Sequence, residues 1–289
     1  MTRDQLAKAK PPANRAGLER WISQKATADG VVVDRVRRGV SFMVVSAVLA
    51  RITSNSGTPL FVLKGGVSMQ LRLGSRARTS KDYDAVFRED LAKLETVLEQ
   101  APEHPIGQFV VTAGPVEPIG PTGVVRSELT IRYATTSWGK IMLEVSRQEG
   151  ASTTDDALDY LEPDPNLSVF GFPPSGRVPC LSVRYQIAQK IHACTEVLGH
   201  KDNERFTDLL DLLLLQELVT PSDWRSVRRA CEEIFTLRGK HAWPPTVTVY
   251  SSWREPFAAT ARENGFPITD VDEAAAALTS MTARIANAQ

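Results

Sequence analysis

Leu60-Phe61-Val62-Leu63 is the segment that most restricts how this chain can fold. Four consecutive apolar residues are too few for a helix, and Pro59 before them and Gly65-Gly66 after them close the run at both ends. Such a run is buried as a strand, and the glycines turn the chain sharply where it ends. After the turn, residues 67–73 have room for one or two helical turns before Gly74, and Tyr83-Asp84-Ala85-Val86-Phe87 alternates in the way a strand does. The expected nucleus of the amino-terminal half is therefore strand, Gly-Gly turn, helix, polar loop, strand.

Around this nucleus, residues 18–25 and 31–52 carry apolar side chains at helical spacing (Val36, Val40, Met43, Val44, Val48) until Asn55-Ser56-Gly57-Thr58-Pro59 stops them. Residues 90–100 read as an amphipathic helix through Leu91, Leu94, Val97 and Leu98, closed by Pro102, whereas 109–111, 124–133 and 140–145 favour strands. From residue 182 the period becomes helical, over 182–198, 203–218, 221–237 and 270–286, with a Pro/Trp-rich connection at 241–256. The expected fold class is α+β, with an α/β lobe and amino-terminal helices in residues 1–175 and an α-helical lobe in 176–289. The border is placed in the proline-rich stretch 163–179.

A hydrophobic fraction of 42% in 289 residues is enough for a substantial core. Lysine plus arginine equals aspartate plus glutamate at 34 each, so the overall field gives no pull on nucleic acid, and any such partner has to be met by a local patch. Cys180, Cys194 and Cys231 are odd in number and form no C-x-x-C pair, which reads as reduced structural thiols. No apolar run approaches the about 18 residues a membrane span needs, and residues 1–12 contain no apolar signal core. The expectation is a cytoplasmic protein with no membrane partner, and a monomer.

The chemistry centres on Arg78-Thr79-Ser80-Lys81-Asp82-Tyr83-Asp84. Asp82 and Asp84 stand two apart at a strand start, and residues i and i+2 of an extended chain project from one face. Both carboxylates can then reach one Mg²⁺ or Mn²⁺. Such an ion takes hard oxygen ligands, and a pair about 4 Å apart activates an attacking hydroxyl and neutralises a leaving pyrophosphate. Alone, an Asp-x-Asp is most often a solvated loop or a helix cap. The context adds Lys64-Gly65-Gly66, where glycine lets a phosphate approach the backbone and the following helix offers N–H donors; a plain tight turn is the alternative.

Glu144 lies in Ile141-Met142-Leu143-Glu144-Val145, an otherwise apolar strand expected to be buried. A charge buried there needs either a basic partner or a metal shared with Asp82 and Asp84, and both readings stay open. Lys190 interrupts the apolar stripe of Ile187, Ile191, Cys194 and Leu198; it either snorkels to solvent or neutralises triphosphate oxygens. Arg205, Asp208 and Asp211 follow at three-residue steps on one helix face, where Arg205 and Asp208 make a surface ion pair or the aspartates position Lys190 or an acceptor hydroxyl. Arg72, Arg76, Arg78 and Lys81, and separately Arg225, Arg228 and Arg229, are candidate cations for an acceptor, against scattered solvated charge. His192 is too isolated for a zinc site and reads as structural.

Taken in order, Leu63-Lys64-Gly65-Gly66, Arg78-Thr79-Ser80-Lys81-Asp82-Tyr83-Asp84, Gln186-Ile187-Ala188-Gln189-Lys190-Ile191-His192-Ala193 and Asp208-Leu209-Leu210-Asp211-Leu212 resemble the AbiEii/AbiGii nucleotidyltransferase toxins. The resemblance is nearest the mycobacterial MenT-like branch. It implies a polymerase-β-like nucleotidyltransferase fold with an added helical lobe that completes the active site. It also implies Asp82 and Asp84 as metal ligands, Lys190 as the catalytic lysine and Asp211 as a later essential aspartate. Lys64, Gly65, Gly66, Ser80, Lys81 and Lys190 are then expected at the nucleotide, Glu144 as a possible third metal ligand, and Arg78, Arg205 and Asp208 in support. The implied activity is transfer of a nucleotide, with CTP as the expected donor of CMP, to the 3′ end of tRNA. That transfer blocks aminoacylation and translation, and an antitoxin is the implied partner. Ser80 matches a serine that can be phosphorylated, and a phosphate carrying about −1.5 to −2 charges would compete with Asp82 for metal. The family middle residue is often isoleucine or phenylalanine; Tyr83 replaces it tolerably if its hydroxyl finds a partner. The alternatives are nucleotidyl or phosphoryl transfer to a protein hydroxyl and a non-catalytic NTP-binding module.

Overall fold

The computed structural model describes residues 10–163, 165–173, 176–199 and 201–289. The expected border at residue 175, and most of the segment 1–12, lie outside the described residues. The chain divides into two compact units. The first takes Met1–Gly74, Thr79–Gln148 and Tyr160–Cys180, and the second Ser75–Arg78, Glu149–Asp159 and Leu181–Gln289. The change of unit that persists to the carboxyl terminus falls at Cys180 to Leu181, and two short excursions precede it.

In the first unit, α1 (Arg15–Asp29) starts where the Asn14 side chain accepts from Gly17 N–H, and ends where Gly30 turns left-handed. Helix α2 (Val33–Leu49) has a polar first third and then buries Val40 and every residue from Phe42 to Leu49. Strand β1 (Phe61–Leu63) leads into α3 (Gly65–Leu73), and β2 (Tyr83–Phe87) follows. The expected helix at 90–100 is shorter: a 3₁₀ turn precedes α4 (Leu94–Leu98), and Pro102 sits in a second 3₁₀ turn at Ala101–Glu103. Proline has no N–H to continue an α-helical ladder.

The remaining strands are β3 (Phe109–Ala113), β4 (Glu117–Ile119), β5 (Val124–Tyr133), β6 (Thr136–Arg147), β7 (Leu158–Leu161) and β8 (Val178–Leu181). They form one mixed sheet in the order β3-β5-β6-β2-β1-β8-β7, with β4 on β5. Pairs β2–β6 and β1–β8 are parallel, and β1–β2, β3–β5 and β5–β6 antiparallel. Strands β4, β7 and β8 carry too few residues for a period to show in the sequence.

Along β6, Ile141, Leu143 and Val145 are buried, while Met142, Glu144 and Ser146 are half-buried. Leu143 and Val145 belong to the core beneath α1 and α2, together with Tyr83, Ala85 and Phe87 of β2. Burying a Leu or Phe side chain contributes about 1.5–3 kcal/mol, so this face fixes the register of β2 against β6. The expectation that Glu144 is buried in an apolar strand is corrected by the alternation: it stands on the opposite, half-open face. Tyr83 is buried on the core side, and its hydroxyl shares a 2.9 Å hydrogen bond with Ser46 Oγ, the partner its position required.

The second unit is built from α5 (Val183–Thr195), α6 (Phe206–Gln216), α7 (Trp224–Arg238), α8 (Arg254–Glu263) and α9 (Val271–Ala286). Helix α8 begins inside the stretch 241–256 that the sequence reads as a connection. Pro256 is its third residue, in the first turn, where a missing N–H costs nothing. Asp270 caps α9 by accepting from Asp272 and Glu273 N–H. Cys180, Cys194 and Cys231 are buried free thiols. No helix among the described residues is long and apolar enough to cross a membrane.

Candidate active site

Asp84 and Glu144 are register partners across the parallel β2–β6 pair, so their side chains leave the same face of the sheet on neighbouring strands about 4.8 Å apart. Asp82 stands one residue before β2, at a bend, and is likewise half-buried. The Gly-Gly turn lies against Asp84 and Ser80. Gly65 has φ +63°, and a Cβ added to it would lie 2.1 Å from Asp84 Oδ2. A Cβ on Gly66 would lie 2.6 Å from Ser80 Oγ. Each glycine is thus required by close approach, and Gly65 by its backbone conformation as well. Asp84 therefore meets the amino-terminal turn of α3, where unpaired N–H groups and the helix dipole favour negative charge.

The loop before Asp82 is held by its own backbone. Ser80 is 5% exposed, its hydroxyl donates to Asp82 O at 2.9 Å, and Arg38 Nη1 donates to Ser80 O at 3.0 Å. Lys64 N–H donates to Asp84 O at 2.9 Å, and Lys64 Nζ reaches Ser146 Oγ at 2.7 Å. Lys81 is exposed. Ser146 and Arg38 are contributors that sequence reasoning missed. Ser146 had a signal, standing two residues after Glu144 on the same face of β6; nothing local marks Arg38.

The donor set fits a hard divalent cation in one form. Among the described residues no three His, Cys, Asp or Glu side chains gather into a metal-holding group, so Asp82, Asp84 and Glu144 do not form a ready three-carboxylate cage. Mg²⁺ is ordinarily held by one or two carboxylates together with substrate phosphates and water, and the Asp82/Asp84 pair supplies that much.

In the second unit Arg78, Lys190, Asp208 and Asp211 form a cluster. Lys190 Nζ donates to Asp208 Oδ1 and Asp211 Oδ2, both at 2.7 Å. Arg78 grips Asp211 with Nε to Oδ1 at 3.2 Å and Nη2 to Oδ2 at 3.1 Å, the two-pronged geometry that makes arginine–carboxylate pairs strong. Asp211 is 1% exposed and Asp208 5%. Burial works to lower the Lys190 pKa, but the charges and hydrogen bonds of Asp208 and Asp211 outweigh it and hold that pKa above the ordinary lysine range. Burial pushes Asp211 up, and Lys190 and Arg78 more than reverse that, so its pKa lies below the ordinary value. Lys190 is thus a fixed ammonium, able to stabilise phosphate charge but not to act as a base at neutral pH.

This arrangement bears on the alternatives that the sequence leaves open. Lys190 does not snorkel to solvent, because two carboxylates hold it inside. Asp208 pairs with Lys190 and not with Arg205, which is exposed and makes no ion pair among the described residues. Of the expected acceptor cations, Arg76 is paired with Glu217, Arg78 with Asp211 and Arg228 with Glu232. His192 is packed against Phe235 and His241, with Arg238 Nη1 3.3 Å from its Nδ1, in keeping with a structural role.

A family model described as nucleotidyl transferase AbiEii toxin, Type IV TA system, matches residues 47–281. Among solved structures, MenT4, a nucleotidyltransferase toxin from Mycobacterium tuberculosis, is 19% identical, with 96% of this chain and 91% of that chain covered and a TM-score of 0.57. The two therefore share a fold. An antigenic nucleotidyltransferase-like protein from Paracoccidioides brasiliensis is 17% identical over 68% of this chain and 88% of that one, and its TM-score of 0.42 is too low to carry an argument. No curated protein matches the sequence.

Proposed function

The chain belongs to the AbiEii family of nucleotidyltransferase toxins, and from that premise we propose that it moves a nucleoside monophosphate, CMP from CTP, onto the 3′-hydroxyl of tRNA. The observation that carries the reading is the seating of Asp84 against the glycine turn that opens α3, with Asp82 two residues before it in the chain. Carboxylates for a metal and helix N–H donors for phosphate thereby lie side by side.

In this reading Asp82 and Asp84 hold Mg²⁺ or Mn²⁺, and Glu144 is their neighbour on β6. The bound cation supplies charge neutralisation of the triphosphate and activation of the attacking hydroxyl. The backbone of Lys64-Gly65-Gly66, with Lys64 Nζ, Ser80 and Lys81, orients the phosphates. The acceptor 3′-hydroxyl gives its proton to water, its oxygen bonds to the α-phosphorus, the bond from that phosphorus to the oxygen bridging the β-phosphate breaks, and pyrophosphate leaves with the electron pair.

Lys190 supplies a permanent positive charge for the leaving group, with Asp211 and Asp208 fixing its position and Arg78 fixing Asp211. Residues 1–175 then provide the nucleotidyltransferase lobe and 176–289 the helical lobe.

A cognate antitoxin follows from the family; phosphorylation at Ser80 is the form of control we assign to it. Because Ser80 Oγ lies under Gly66, the 80–82 loop has to open to receive a phosphate. A cytoplasmic monomer completes the proposal. The test is incubation with Mg²⁺, tRNA and each α-labelled NTP in turn. Label on the RNA 3′ end with CTP supports the reading, and label on protein assigns the alternative acceptor.

A further inference from the structure

We propose that Arg38 is a phosphate-binding residue beside the Asp82 loop, taking an oxyanion either of the nucleoside triphosphate or of the acceptor's terminal phosphodiester. The inference rests on the function proposed above and adds a contact that the sequence did not reveal.

The geometry is specific. Arg35 and Arg38 are three apart on the polar first third of α2 and so share a face. Both reach the segment that leads into Asp82: Arg35 Nη2 donates to Gly74 O at 3.3 Å and Arg38 Nη1 to Ser80 O at 3.0 Å. The Ser80 carbonyl is two residues from Asp82, and the Ser80 hydroxyl is bonded to the Asp82 carbonyl. The guanidinium of Arg38 is thereby held within a residue or two of the first carboxylate.

Arg38 is exposed, and among the described residues it makes this one hydrogen bond and no ion pair. A guanidinium has five N–H donors, so four stay available in a fixed fork that matches a phosphate. The preceding residue shows the contrast: Arg37 spends its donors on Glu19 and Asp34. Arg76 and Arg78 are likewise committed to carboxylates. An arginine tethered to a neutral carbonyl keeps its charge for a ligand and loses little side-chain entropy when one arrives.

Arg38→Gln removes the charge and the fork, Arg38→Lys keeps the charge alone, and Arg20→Gln, an exposed arginine of α1, controls for net charge. Equilibrium binding of α,β-methylene-CTP with Mg²⁺, and of an RNA hairpin with a single-stranded 3′ end, is measured for each protein without requiring turnover. Arg38→Gln is expected to weaken one of the two by about 10- to 100-fold, Arg38→Lys by less, and Arg20→Gln by under twofold, with thermal midpoints unchanged. A loss confined to the nucleotide assigns the triphosphate. A loss confined to RNA, with the salt slope shallower by about 0.7, assigns the acceptor phosphodiester. Both affinities within twofold of the parent in Arg38→Gln, or no binding of either ligand by the parent, overturns the inference. Intact binding without label transfer counts against the proposed function and leaves Arg38 standing.

Discussion

Asp211 is the residue whose loss the structure makes most costly. Its two oxygens accept three hydrogen bonds, two from Arg78 and one from Lys190, in a site 1% exposed. Asp211→Ala leaves Lys190 with Asp208 as its one carboxylate and takes from Arg78 its two-pronged bond, and removing one partner of a buried ion pair costs about 3–5 kcal/mol. Against a total stability of about 5–15 kcal/mol, the variant folds with much of its margin gone, so loss of activity in it cannot be assigned to chemistry alone. Lys190→Met costs a similar about 3–5 kcal/mol, because it strands Asp208 without its partner. With both changes the charges leave together, and the double variant is less destabilised than the sum of the singles by about 2 kcal/mol. Urea unfolding followed by tryptophan fluorescence measures all four corners, since Trp224 begins α7 in the same unit. Additivity within about 0.5 kcal/mol, or an Asp211→Ala cost below about 1 kcal/mol, would mean that Lys190 and Asp211 are not a coupled buried pair. The pH profile gives an independent check. Asp211's depressed pKa makes its contribution present above the unfolded carboxylate value near 3.9 and lost as pH falls through the folded one. Lys190's raised pKa makes its contribution present below about 10.4 and lost as pH rises through the folded value, so the cluster is pH-insensitive near neutrality.

Gly65→Ala forces a left-handed backbone on alanine, at about 1–2 kcal/mol, and drives a methyl into Asp84; thermal melts should show a lowered midpoint, and NTP transfer should fall by about 100-fold or more. Ser80→Asp places a carboxylate under Gly66 and next to Asp82, so titration with CTP and Mg²⁺ should show weakened binding, and unchanged affinity would remove Ser80 as a switch. Burial first, then Arg238, pushes His192 down to about 4, so the unfolded chain takes up its proton first as pH falls below about 6.5. Stability held above that pH is then lost toward pH 4 by about 2–3 kcal/mol, and His192→Gln should flatten the loss in acid denaturation.

Local pattern made legible the elements whose residues answer only to their neighbours in sequence. The strand–Gly-Gly–helix unit and the period of α5, α6 and α9 are of this kind. Strand β8 was hidden because Pro179 stands in a run of only four residues, and α8 because its first turn contains proline. The state of Lys190 was not legible, since its partners Asp208 and Asp211 lie on another helix and only packing shows that both reach it. Glu144 was read as buried because an apolar run does not say which alternate face is open; its register with Asp84 settles that. Arg38 was invisible for a simpler reason. An arginine early in a helix looks like any solvated charge until its hydrogen-bond acceptor is known.

Under the proposed function Asp82 and Asp84 hold the cation for nucleotidyl transfer to RNA. Asp82 is half-buried and outside the charged cluster of Asp211, so Asp82→Asn should keep its fold. The most direct measurement is transfer of α-labelled CTP to total tRNA by the parent and by Asp82→Asn, with and without Mg²⁺, on a gel that separates RNA from protein. Label is expected on the RNA 3′ end with the parent and Mg²⁺ only, and none with Asp82→Asn at an unchanged melting midpoint. Equal labelling by Asp82→Asn, or labelling that survives removal of divalent ions, would contradict it.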